Sequence, residues 1–230
     1  MSYTVLDGIH HVRLFIKNIP VQDAQIISAD KVNSKIWRAY PWRWSTETLT
    51  PIALVDSTQD YSGIPTDYFR LLRARIVRTD TSPNEVYEPL DILNKLEPHL
   101  WSVSPRLIKA ISYEGHLSKF RIERAVQITS PTTYQIQGEY QFIPTKITNT
   151  SNTLPFPDQY FDVFVEGLKW EFYKFADDAR AGTARWDETA GMFVCTGQAA
   201  EFYGALYDMA ASEGYASGDT IAPQDPLMYE

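Results

Sequence analysis

Tyr134-Gln-Ile-Gln-Gly-Glu-Tyr-Gln-Phe142 alternates without a break: Tyr134, Ile136, Gly138, Tyr140 and Phe142 share one parity, and Gln135, Gln137, Glu139 and Gln141 share the other. Successive side chains of an extended chain point to opposite faces, so the stretch predicts a strand with one buried and one wet side. Beyond Leu154-Pro-Phe-Pro157 the period changes. Phe161, Phe164, Val165, Leu168, Phe172 and Phe175 recur at intervals that place them on one stripe of a helix. Pro157 suits a first helical turn and Asp158 its positive end, and the helix should reach about Asp178.

The chain upstream of this switch reads as mostly β. Between Ser45 and Pro157, short runs of Thr, Ile, Val, Tyr and Phe are punctuated by Pro, Gly, Ser and Asn. Leu71 to Thr79 alternates Leu72, Ala74 and Ile76 against Arg73 and Arg75. Leu107 to Glu114 and Leu117 to Arg124 flank Gly115-His116, which predicts a hairpin. Nearer the start, Val5, Ile9, Val12, Ile16 and Ile19 predict one helix closed by Pro20, and Ile26, Ala29, Val32, Ile36 and Tyr40 a second limited by Pro41. Ala199 to Glu213 predicts a last helix. Gly214 to Glu230 has no periodicity and reads as an arm that must dock to be ordered.

The order of elements predicts an α+β fold. N- and C-terminal helices, residues 1–45 and 155–213, form a helical bundle; residues 46–154 are an inserted β-sandwich or barrel-like domain; residues 214–230 are an extended C-terminal arm.

The 230 residues are 44% hydrophobic and 13% aromatic, enough for a sizeable core. No apolar run is long enough to span a bilayer, and the first residues lack the pattern of a signal peptide. The formal charge is −8. Residues 161–230 carry four basic residues (Lys169, Lys174, Arg180, Arg185) and thirteen acidic ones, whereas 1–160 carry 17 basic and 16 acidic. Such an acidic final third repels nucleic acid rather than gripping it.

Catalytic signatures are missing. The single cysteine, Cys195, excludes an intrachain disulfide, and His10, His11, His99 and His116 offer only an adjacent pair whose side chains diverge on a helix. There is no Gly-x-Ser-x-Gly elbow and no phosphate-cradling glycine pattern. The expectation is a protein that is not an enzyme, with no cofactor and no metal. Arg70, Arg73, Arg75 and Arg78 lie near Tyr68 and Phe69, an arrangement that can track a nucleic-acid strand. Arginine is also favoured at protein interfaces, where it pairs with carboxylates.

Three stretches carry a resemblance. A helix through Ala29-Asp-Lys-Val-Asn33 leads into Tyr40-Pro-Trp-Arg-Trp44. Gln59-Asp-Tyr61 precedes Ile64-Pro-Thr-Asp-Tyr-Phe-Arg-Leu71, with Gly63 as an additional residue in the turn. The Tyr-rich strand 134–142 precedes Leu154-Pro-Phe-Pro-Asp-Gln-Tyr160 and a helix with Gly167 and Asp177-Asp178. Over residues 25–180 the sequence resembles the head-to-tail adaptor (connector) proteins of tailed bacteriophages.

That resemblance implies a structural virion protein at the head–tail junction, made in the host cytoplasm. Its partners would be further copies in a ring of twelve, the portal protein, and a tail nozzle, tube or stopper protein, with double-stranded DNA passing through the centre and no membrane. A tail-completion or stopper protein, and a carbohydrate-binding recognition module using Trp42 and Trp44, are the alternatives. Four expectations about residues follow. Leu227, Met228 and Tyr229 anchor the arm on the portal. Glu166, Asp177, Asp178, Asp187 and Glu188 line the channel. Arg43, Arg73 and Arg75 contact a neighbouring subunit. Trp37, Tyr40, Trp42 and Trp44 form an aromatic corner where the second helix crosses into the β-rich part, with both indoles of Trp42 and Trp44 on one side of an extended segment.

Overall fold

A computed structural model describes residues 2–94, 96, 102–103, 105–189 and 192–215. In chain order the elements are α1 (Val5–Arg13), α2 (Gln22–Ala39), β1 (Thr46–Ala53), β2 (Asp60–Tyr61), β3 (Tyr68–Arg78), β4 (Glu85–Pro89), β5 (Asp91–Leu93), β6 (Ser102–Val103), β7 (Ala110–Glu114), β8 (Lys119–Ile122), β9 (Ala125–Val126), β10 (Tyr134–Phe142), α3 (Phe161–Phe175), β11 (Ala184–Asp187), β12 (Met192–Cys195) and α4 (Gly197–Ser212). The protein is mixed α+β, and none of the sheets among the described residues closes on itself. Two compact units result: one takes in the chain up to Trp44 and from Pro144 onward, the other Ser45–Ile143. The return from β to helical packing thus falls at Pro144, ahead of the boundary at 155 that the sequence suggests. Ile147 and Leu154 already sit in the helical core, where Asp30 Oδ1 of α2 accepts from Ile147 N at 2.8 Å and Asn33 Nδ2 donates to Thr145 O at 3.3 Å.

In the helical unit, α3 is the central element. It packs against α1, α2 and α4, and Phe161, Val163, Phe164, Val165, Leu168, Trp170, Phe172 and Tyr173 are all buried. A helix apolar around most of its circumference belongs inside. Phe175, expected on the buried stripe, is 61% exposed at the helix end. Neighbouring helices approach α3 at glycines: a Cβ on Gly167 would lie 2.5 Å from Val32 Cγ1 and 2.9 Å from Phe202 Cε2, and one on Gly8 2.8 Å from Phe164 Cε1. α1 starts at a capping box between Thr4 and Asp7 and ends at Arg13, well before Pro20. The amides of Phe15 and Ile16 both turn back to Val12 O at 3.0 Å, so the chain leaves in a tightened turn that still buries Ile16.

One charged pair is enclosed in this unit. Glu171, 4% exposed, accepts from Lys35 Nζ at 2.5 Å, and that ammonium lies 3.8 Å from the centre of the Trp170 ring. Burial alone would raise the Glu171 carboxyl, but the Lys35 charge and hydrogen bond, helped by Lys174 and Lys31, hold it below its ordinary value. Burial pushes Lys35 down despite the opposing pull of Glu171.

The β unit contains a four-stranded sheet in the order β1-β10-β3-β4 and another in the order β2-β8-β7-β5. Leu49, Ile76, Ile111, Phe120, Ile122 and Ile136 form the centre of its core. β10 is the hub of the first sheet, antiparallel to both β1 and β3. The hairpin expected around Gly115 is present as β7 and β8, joined by a short 3₁₀ turn and Ser118 at φ 49°.

β3 departs from the simple alternation. Its pairing with β10 skips Leu72, between Arg73↔Glu139 and Leu71↔Tyr140, and skips Phe69, between Arg70↔Gln141 and Tyr68↔Phe142. Each bulge inserts one residue and resets parity. Leu71 and Tyr68, rather than Leu72, therefore join Ala74 and Ile76 in the core, and Leu72 is half-buried.

Candidate functional site

The outward face of the four-stranded sheet follows from that register. Two rows cross the strands, Thr48–Glu139–Arg73 and Gln137–Arg75–Pro89, since residues paired directly across a ladder project to the same side. They line a shallow groove of about 450 Å³, floored by the backbone of Ala74 and Gly138. Gly138 is required by the close packing beneath: a Cβ there would lie 2.6 Å from Arg73 O. At the end of the face, Gln141 is fully buried instead of wet. Its Oε1 accepts from Arg70 Nε at 2.7 Å and its Nε2 donates to Ser45 Oγ at 2.9 Å.

Three arginines on one strand thus meet different environments. Burial pushes the Arg70 guanidinium down, and its Nη2 is enclosed without a partner. Arg73 is paired with Glu139, a hydrogen bond that raises its pKa, yet its side chain is 75% exposed. Arg75 is exposed and forms no ion pair with a described residue. Arg43 is exposed in the helical unit, on the 3₁₀ turn Arg43–Ser45.

The aromatic corner is interior. Trp37 and Trp42 are 1% and 0% exposed and Tyr40 is buried; Trp42 Nε1 donates to Ile36 O at 2.7 Å. The indoles of Trp42 and Trp44 are stacked 5.8 Å apart, on one side as expected, although Arg43–Ser45 is a 3₁₀ turn and not an extended segment. Trp44 also packs edge-on against Trp37. Tyr215 completes the cluster, donating to Pro41 O at 2.6 Å and contacting Tyr40 and Trp42. Every ring named here belongs to the helical unit. Trp42 is fully enclosed and Trp44 half-buried, so the fully buried Trp42 indole offers no face for a sugar to stack on.

The acidic candidates divide. Glu166 is held by Lys169 at 2.6 Å and Gln198 at 2.5 Å. Asp178 receives both nitrogen groups of Arg180, whose hydrogen bonds lower its carboxyl to about 2. Asp177 is exposed at φ 51°. Asp187 and Glu188 lie at the tip side of the β11–β12 hairpin, where Asp187 Oδ1 accepts from Thr189 N at 2.9 Å. The sequence reading missed this hairpin. Its neck is formed by Gly182 at φ 66° and Gly197 at φ 57°, and a Cβ on Gly182 would lie 1.8 Å from Thr196 O. The arm residues Leu227, Met228 and Tyr229 lie outside the described residues, as does His99.

Among the described residues no three His, Cys, Asp or Glu side chains converge as metal ligands would, and no helix is long and apolar enough to cross a membrane. One comparison takes in residues of both units: the SU10 adaptor proteins match residues 20–219. The chain belongs to the SU10 adaptor protein family. It is a bacteriophage adaptor, a structural component of the virion, as the resemblance implied. No curated protein matches the chain.

In this SU10-family adaptor the motifs behind the resemblance are folding residues. Asp60 takes both nitrogen groups of Arg121 at 2.6 and 2.9 Å. Tyr61 donates to Thr58 O at 2.9 Å, and its burial pushes the phenol up to about 12. Asp67 accepts from Tyr140 Oη at 3.2 Å, and Asp67 O from Ile143 N at 2.6 Å. Burial, seconded by Asp67 and Glu47, raises the Tyr140 phenol to about 12.

Proposed function

We propose that this SU10-family adaptor assembles as a ring of about twelve copies beneath the portal, joins the portal to the tail, and leaves a central channel for double-stranded DNA. The family match over 20–219, which takes in both units and α4, carries this reading. Its tail-side partner is a nozzle, tube or stopper protein, and its location is the head–tail junction. In this reading the four helices act as a bundle carrying the β unit as an inserted sandwich, and the residues beyond Tyr215, with Leu227, Met228 and Tyr229, dock on the portal. Asp177, Asp187 and Glu188 face the channel, where their negative charge passes DNA without retaining it. Glu166 and Asp178 contribute less, because Lys169 and Arg180 already neutralise them. No catalytic step or cofactor belongs to this role.

Electron-microscopic imaging of particles containing the chain tests the proposal. The expected result is a ring of this protein directly under the portal. Density at a fibre or in the capsid interior instead would overturn it. A single copy plugging the channel would favour the stopper alternative.

A further inference from the structure

The outward face of the β1-β10-β3-β4 sheet is chemically unusual for a solvated one. β10 presents Gln135, Gln137 and Glu139, and β3 presents Arg73 and Arg75, while at its end Gln141 is buried against Arg70. The groove across it holds two exposed guanidinium groups against one carboxylate, Glu139. Planar amides and guanidinium forks side by side suit carboxylate recognition, because each fork donates two parallel hydrogen bonds.

The complementary surface is on α4. This helix contains no Lys or Arg, and Glu201, Gly204, Asp208 and Ala211 are exposed along one side. Neither Glu201 nor Asp208 forms an ion pair with a described residue. Gly204 has nothing within 4 Å of the position its Cβ would take, so a flat surface can approach this side closely. Glu201 and Asp208 are two turns apart, about 10.5 Å along the axis. Arg73 and Arg75 are about 6.6 Å apart along their strand, and the length of an arginine side chain spans the difference.

We infer that the Arg73–Arg75 groove receives the Glu201–Asp208 side of α4 from a second copy of the chain. The contact rests on the ring reading and deepens it: two different faces meeting head to tail generate a ring when the rotation closes. A nucleic-acid backbone is the less favoured occupant. Arg70 is held against Gln141, and only the two guanidinium groups of Arg73 and Arg75 lie in the groove, beside the Glu139 carboxylate, which leaves few charges to track a phosphate chain.

The experiment uses the full chain and two charge-reversed variants, Arg73→Glu/Arg75→Glu and Glu201→Lys/Asp208→Lys. Thermal unfolding first checks that both fold with unchanged midpoints, as their exposure predicts. Sedimentation velocity over a concentration series, at low and high salt, then reads self-association. The expected result is salt-sensitive association of the natural chain, at least tenfold weaker association of each variant alone, and recovery on mixing the two. Undiminished association of either variant, no recovery on mixing, or a natural chain that stays monomeric throughout would overturn the contact. So would retardation of a short DNA duplex that only the arginine variant loses while its self-association is intact. The ring reading fails separately, on particle images without a ring; rings built from the arginine-reversed chain would refute this contact and leave the ring standing.

Discussion

The helical unit and the β unit solve burial in opposite ways. In the first, a single element, α3, is enclosed on nearly all sides, and its buried carboxylate, Glu171, is matched by Lys35. In the second, the hub strand β10 buries Ile136 and Tyr140 while Gln137 and Glu139 remain at the surface. A unit organised around an enclosed helix has little left to offer a partner along that helix. A unit built of open sheets necessarily keeps an outward face, and here that face is rich in arginine and glutamine.

The contrast is most severely tested at Trp42. Trp42→Ala should cost about 3–5 kcal/mol, since it removes a fully buried indole from the core and leaves Ile36 O without its donor. Amide hydrogen exchange should accelerate throughout α2 and α3 and stay slow in β10. Equal loss of protection in β10 would show that the two units do not respond separately.

Next in size is Glu171. Glu171→Ala should cost about 3 kcal/mol by leaving the Lys35 ammonium enclosed without its carboxylate. The pH dependence has a defined sign. The carboxyl is held below its ordinary value in the folded protein, so its stabilisation is present above the unfolded pKa of about 4.3 and is lost as pH falls through the lower folded value. Chemical unfolding between pH 3 and about pH 6 should therefore show a steeper acid loss for the natural chain than for Glu171→Gln.

Smallest, and opposite in sign, is a pair of glycine substitutions. Gly167→Ala should destabilise by about 1–3 kcal/mol because Val32 and Phe202 occupy the space. Gly204→Ala should stabilise by about 0.5–1 kcal/mol, since nothing opposes its Cβ and alanine favours the helix. Thermal midpoints that move in the same direction would contradict the packing described for α3.

How far the sequence revealed this structure depends on whether the deciding signal was local. The apolar spacing of α1, the α3 stripe and the parity of β10 were readable because periodicity and apolar spacing act within a few residues. The β11–β12 hairpin was not, because it has little alternation and its identity rests on Gly182 and Gly197 meeting across a neck. The burial of Gln141 was equally hidden, since it depends on Ser45 and Arg70 arriving from far along the chain. Among the candidate residues, Arg73 and Arg75 were legible as an outward pair. The neutralisation of Asp178 by Arg180, two positions away, was open to inspection and went unread.

The bulges in β3 act as a counting device. Between Tyr68 and Ile76, the side of the sheet on which a residue lies is set by its position number corrected for two supernumerary residues. Excising Leu72 would restore even counting between Leu71 and Arg73 and turn no neighbour over. Excising Ala74 instead would put Arg73 or Arg75 out of step with β10 and carry a guanidinium toward the core. Two length changes of equal size, two positions apart, thus have opposite meaning, and the lengths tolerated in this strand are set by the bulges.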